Sequence, residues 1–72
     1  MKYYEILKGI REDKDITQKE IAIILNCKQN TISQYENGKR QITIEHLKKL
    51  CIFYGVSADY ILGLPKGMYY RD

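Results

Sequence analysis

Apolar residues recur at three- and four-residue spacing along most of this chain, and no segment alternates with period two as a half-buried strand would. Tyr3, Ile6, Leu7 and Ile10 make one stripe, which predicts a helix from about Tyr3 to Asp13, with Arg11 beside the stripe one turn beyond Leu7. Lys14 and Asp15 form a link. Thr17-Gln18-Lys19-Glu20 then has the form of a capping box, in which the threonine hydroxyl and the glutamate carboxylate each take the other's backbone N–H. Ile21, Ala22 and Leu25 fill the inner face of the second helix that follows, and Asn26 tolerates the left-handed conformation that stops it. A third helix is predicted over about 29–37, with Gly38 as its stop. Thr43 fits the N-cap of a fourth, whose inner stripe is Ile44, Leu47, Leu50, Cys51 and Tyr54 and whose end is Gly55. Ser57 caps a short fifth helix, Ala58 to Leu62, in which Tyr60 and Ile61 close the core. Gly63-Leu64-Pro65 breaks the pattern. The expectation is an all-α domain over 1–64 and a tail over 65–72.

The third helix departs from an ordinary solvated face. At about 100° per residue, Ile32 and Tyr35 share one side, while Gln29, Asn30, Ser33, Gln34 and Asn37 share the other. That outer strip carries no charge. Amides and hydroxyls both donate and accept, which is what the edges of base pairs in the DNA major groove demand.

Charge placement points the same way. The net charge of +3 is mild, and the acidic and basic residues before Asn26 cancel, whereas Lys28, Lys39 and Arg40 outweigh Glu36 around the third helix. Positive charge there favours a phosphate-bearing partner. With 72 residues the chain has one small core, stabilised by efficient helix packing or by a dimer partner. No apolar run approaches the ~20 residues that span a bilayer, and the opening MKYYEILKGIRED lacks the apolar region of a signal peptide, so the expected location is the cytoplasm.

Other chemistries find little support. Cys27 and Cys51 fall at core-like positions far apart in sequence and are expected as reduced, buried thiols. His46 and Cys51 are too few for a metal site, and His46 is expected as a solvated residue in the first turn of its helix. Lys48-Lys49 reads as an exposed face. There is no glycine-rich phosphate loop, no paired carboxylate in a cleft and no histidine-centred triad, so neither catalysis nor a cofactor or small-molecule ligand is expected.

From Leu7 to Leu64 the chain resembles the Cro and lambda-repressor type of helix-turn-helix, often called Xre-like. The residues that carry the likeness are Gln18 opening the second helix, Ala22 within it, Ile32-Ser33 in the third, Glu36-Asn37-Gly38-Lys39 after it, and Gly55-Val56-Ser57 before the fifth. The resemblance implies a five-helix bundle that binds a palindromic operator as a homodimer, with the third helix in the major groove. It places Lys28, Gln29, Asn30 and Gln34 at base edges with Ser33 nearby, and Gln18, Asn37, Lys39 and Arg40 at backbone phosphates. It makes Arg11 and Glu36 a structural ion pair between the first and third helices.

Three positions depart from the family pattern: Asn26 stands at the turn usually held by glycine, Lys28 at the cap usually held by Ser or Thr, and Ile42 where proline is common. Ile42 implies a less rigid loop. Lys28 has no oxygen with which to cap, and a cationic contact to guanine or phosphate is its expected role. Ile52 and Phe53 point away from the inner stripe of the fourth helix, and Ile23 points away from the second. With Tyr60 and the Met68-Tyr69-Tyr70 tail, Ile52 and Phe53 form a candidate dimer surface; the other reading folds tail and patch onto the monomer. The implied function is a sequence-specific transcriptional regulator, a repressor that occludes a promoter. The alternative is an antitoxin or phage-type interaction protein of the same fold whose main partner is another protein.

Overall fold

Local signals set where each helix starts and stops. In the computed structural model, which describes residues 1–64, the helices are α1 (Tyr3–Asp13), α2 (Gln18–Leu25), α3 (Gln29–Glu36), α4 (Ile44–Tyr54) and α5 (Ala58–Leu62), with no strand among the described residues. The segment 65–72, including Met68 and Tyr69 of the candidate dimer surface, lies outside the described residues. No helix among the described residues is long and apolar enough to cross a membrane.

Thr17 and Glu20 form the reciprocal box, the Glu20 N–H donating to Thr17 Oγ1 and the Thr17 N–H to Glu20 Oε1, each at 3.1 Å. These two bonds satisfy N–H groups that a helix start leaves without a partner. Asn26 ends α2 at φ 53°, ψ 49°, and the Cys27 N–H closes the turn on the Ala22 carbonyl at 2.9 Å. Thr43 and Ser57 accept from the His46 and Tyr60 N–H groups and so fix the starts of α4 and α5.

Gly38 follows α3 at φ +74°, where an L side chain is strained, and a Cβ there would stand 2.5 Å from Tyr4 Cζ. The Tyr4 ring thus lies against the bare backbone of Gly38, pinning α1 to the loop that carries Lys39 and Arg40. Any larger residue would have to displace that ring.

Leu7, Ile21, Ala22, Leu25, Ile32, Tyr35, Ile42, Leu50, Tyr54 and Ile61 form the buried core, flanked by half-buried Tyr3, Ile6, Ile10, Leu47 and Cys51. Two positions differ from the sequence expectation. Ile44 was expected in the inner stripe of α4 and is 85% exposed, because it occupies the first turn, which projects beyond the bundle. Its place is taken by Ile42, the residue before the Thr43 cap, which is 9% exposed. A hydrophobic staple works from this position onto the fourth helical residue, here Leu47, and both residues belong to the same cluster. The loop is also better fixed than a missing proline suggests, since the Ile42 N–H donates to Tyr3 Oη at 3.2 Å. Proline has no N–H to give. Tyr60, expected to help close the core, is 61% exposed, because the short α5 offers one inward face and Ile61 fills it completely.

Candidate nucleic-acid interface

α3 presents two unlike sides. Ile32, Tyr35 and Glu36 are buried, while Gln29, Asn30 and Asn37 are exposed and Ser33 and Gln34 half-buried. Their spacing puts these five polar side chains on the outer face in a continuous, uncharged strip. The single contact within it, Asn37 Nδ2 to Ser33 Oγ at 3.5 Å, is weak and leaves both groups able to bond elsewhere.

Both ends of the strip are basic. Lys28, at the N-cap, is exposed and makes no side-chain cap bond, so its side chain satisfies none of the first N–H groups of α3. At the other end the chain curls back on the helix, and the N–H groups of Lys39 and Arg40 both donate to the Gln34 carbonyl, at 3.0 and 3.3 Å. Two exposed cations are thereby anchored within one turn of the polar strip.

Beneath the strip lies a carboxylate network. Arg11 Nε and Nη2 donate to the two oxygens of Glu36 at 2.7 and 3.0 Å, and Arg11 Nη1 donates to the Ile16 carbonyl at 2.7 Å. Gln18 Nε2 donates to Glu36 Oε1 at 3.0 Å. Glu36 therefore ties α1 and the first residue of α2 to the back of α3, and Arg11 extends the tie to the loop before α2. The hydrogen bond to Glu36 holds the Arg11 guanidinium above its usual pKa. Burial, assisted by the Glu36 charge, pushes the nearby Tyr54 phenol up to about 12. Burial likewise raises both free thiols, Cys27 and Cys51, which are half-buried rather than fully enclosed.

Sequence reasoning assigned Gln18 to a phosphate alone; the structure adds an inward bond to Glu36 that occupies one amide hydrogen and leaves the rest of the amide at the half-buried start of α2. His46 is corrected outright. Rather than standing in solvent, it meets Tyr35, with Nδ1 2.8 Å from Tyr35 Oη and the rings edge-on at 5.7 Å. That contact fastens α3 to α4. No sequence spacing signalled it, because the partner comes from another helix. Ile52 and Phe53 of α4 are 75% and 45% exposed, as is Ile23 of α2 at 71%.

Known proteins share this fold. A family model described as helix-turn-helix matches residues 7–61. The HTH-type transcriptional regulator ImmR of Bacillus subtilis is 44% identical over 79% of this chain, and the antitoxin PezA of Streptococcus pneumoniae is 35% identical over 83% of it. The chain spans only 45% of the first relative's length and 38% of the second's. Among solved structures, the P22 c2 repressor in complex with a synthetic operator superposes with a TM-score of 0.79 at 25% identity, over 94% of this chain and 98% of that one. With its five helices, its capped turn between α2 and α3 and a family match across residues 7–61, the chain belongs to the helix-turn-helix family.

Proposed function

We propose that this protein is a sequence-specific repressor that reads the major groove with α3 as a homodimer on a palindromic operator. The observation that carries the reading is the uncharged strip Gln29-Asn30-Ser33-Gln34, raised off the core by Ile32 and Tyr35 and bracketed by exposed Lys28, Lys39 and Arg40. Gln29, Asn30 and Gln34 offer paired donor and acceptor atoms to base edges, and Lys28 adds a cation to guanine or phosphate. Asn37, Lys39, Arg40 and the outward part of Gln18 take backbone phosphates, which fix register without reading sequence. Bound at a promoter, such a dimer represses by occlusion.

Two substitutions separate these roles on an operator selected from random DNA. Gln29→Ala relaxes preference at one base position, with a loss of about 1–3 kcal/mol on the best sequence, while Lys39→Ala weakens all sequences alike and reduces the salt slope by about 1. Fluorescence anisotropy across base variants and salt concentrations reads both. A Gln29→Ala protein that loses affinity uniformly, with its base preferences intact, refutes reading by α3.

The dimer surface is assigned to Ile52 and Phe53, exposed apolar side chains of α4, together with exposed Tyr60 of α5. Sedimentation at micromolar concentration in the presence of a two-half-site duplex gives a dimer for the parent chain and a monomer for Phe53→Glu. A parent protein that remains monomeric on that duplex removes this part of the reading.

The similarity to an antitoxin supports a second reading, in which a protein is the main partner and DNA contact is secondary. Selection from random DNA decides between them: two half-sites about one helical turn apart favour the repressor, and the absence of any saturable site favours the alternative.

A further inference from the structure

The start of α1 grips the loop between α3 and α4. Tyr4 Cζ, Cε1 and Oη stand 2.5, 2.7 and 2.8 Å from a Cβ built on Gly38, so it is the hydroxyl end of the ring that lies over the glycine. Edge-on contact with Tyr3, at 5.5 Å between ring centroids, braces the same ring. Tyr3 is itself anchored, since its Oη accepts the Ile42 N–H at 3.2 Å. The two tyrosines therefore hold the segment that carries Lys39 and Arg40 at both of its ends.

The hydroxyl placed there is unspent. Covering a glycine takes only the ring, yet Tyr4 Oη meets no hydrogen-bond partner among the described residues, whereas Tyr3 Oη and Tyr35 Oη are both engaged. Nor is it enclosed. Every shut-in side-chain nitrogen or oxygen of the described residues has a partner, so an unpaired Oη is one that water reaches. Gly38 stands between exposed Asn37 and exposed Lys39. With about 3.8 Å between successive Cα atoms, Tyr4 Oη comes within about 8 Å of the backbone of each.

The backbone decides what an anion finds at this end of α3. The N–H groups of Asn37 and Gly38 donate to the Ser33 and Tyr35 carbonyls at 3.0 and 3.3 Å, and those of Lys39 and Arg40 both turn back to Gln34. All four are used internally, so side chains must do the holding. Lys39 and Arg40 bring charge on long stems that lose much rotamer freedom when fixed. Tyr4 brings a donor that is already fixed, at little entropic cost. By the 100° count, Lys8 and Arg11 share its side of α1, Lys8 exposed and Arg11 committed to Glu36. The carboxylates of Glu5 and Glu12 lie about 80–100° further round the helix, and Glu5 already accepts the Lys2 N–H.

We propose that Tyr4 Oη donates a hydrogen bond to a phosphate of the DNA backbone, which makes α1 a third element of the interface beside α2 and α3. This rests on the reading of α3 in the major groove. A tyrosine hydroxyl is an ordinary phosphate donor and carries no base information. It is also neutral, so its contact releases no counterion.

Tyr4→Phe keeps the ring over Gly38 and removes only the hydroxyl. On an operator selected with the parent protein, fluorescence anisotropy should show about 5–15-fold weaker binding on every base variant, with the salt slope and the urea midpoint unchanged. Duplexes carrying one methylphosphonate at each backbone position in turn locate the contact. At one position the parent loses affinity and Tyr4→Phe loses markedly less, which is the coupling expected of direct partners. Equal affinity of parent and variant overturns the proposal, as does a set of methylphosphonates that weakens both proteins alike at every position. A salt slope reduced by about 1 in Tyr4→Phe also overturns it, because the tyrosine then serves only to place Lys39 or Arg40. A parent protein that selects no saturable duplex instead removes the reading of α3, and this inference with it.

Discussion

Replacing Arg11 by methionine is expected to cost the fold about 3–5 kcal/mol, far more than a surface ion pair would. The side chains of Arg11 and Glu36 are only 11% and 7% exposed, and the guanidinium meets the carboxylate through two bonds of 2.7 and 3.0 Å. Removing the cation leaves a buried carboxylate whose remaining side-chain partner is the Gln18 amide, and it leaves the Ile16 carbonyl without its guanidinium donor. An exposed pair would be worth roughly 0–1 kcal/mol, because water replaces each partner. Here burial prevents that replacement. Against roughly 4–11 kcal/mol for 72 residues at about 0.05–0.15 kcal/mol each, the loss removes a large share of the total stability, so the urea midpoint should fall steeply.

The same physics predicts that Arg11→Met combined with Glu36→Leu recovers much of the loss, since apolar groups of similar volume have no desolvation cost to offset. Urea denaturation of the two single variants and the double variant measures the coupling between them. A cost below about 1 kcal/mol for Arg11→Met would mean that solvent reaches the pair. DNA binding offers a second readout in the double variant. That protein keeps its core but no longer has the carboxylate that holds Gln18 at the start of α2, so on the reading proposed above phosphate contact there weakens while base preference at α3 persists.

The contrast between what the sequence revealed and what it hid follows from the range of each interaction. Helix limits were legible because their causes lie within four residues: Thr17 with Glu20, Asn26 and Gly38 with left-handed backbone, Thr43 and Ser57 with the N–H groups three positions on. The polar strip on α3 was legible for the same reason, since a period of about 3.6 residues fixes which side chains share a face. The ends of helices were misread where the bundle, not the helix, decides. Ile44 obeys the periodicity of α4 yet projects past its neighbours, and Ile42, outside the helix, takes the core position instead.

Contacts between elements left no local trace. His46 against Tyr35, Tyr3 against the Ile42 N–H and Gln18 against Glu36 each join residues 11 or more apart in sequence, and none of these residue types announces its partner. Arg11 and Glu36 were legible only through the family resemblance; periodicity alone put Arg11 beside a stripe without naming what it meets.

Ile61→Ala is expected to cost about 2–5 kcal/mol, and the loss should fall unevenly on the molecule. α5 has five residues, too few to be stable as an isolated helix in water. Its Ser57 cap and its Gly63 stop shape it but cannot hold it. Ile61 is its one fully buried side chain, at 0% exposure, while Tyr60 and Leu62 on either side are 61% and 46% exposed. Truncation to alanine therefore both opens a cavity and removes the main attachment of the helix. Hydrogen exchange should show the α5 amides losing protection first and most, with α2 and α3 retaining theirs, since the Leu25 and Ile32 contacts that join those two helices are untouched. If α5 carries part of the dimer surface, affinity for a two-half-site operator falls much further than affinity for a single half-site. Uniform loss of protection across all five helices would instead mean that the bundle opens as one unit, with α5 an integral part of the core rather than a flap secured by a single isoleucine.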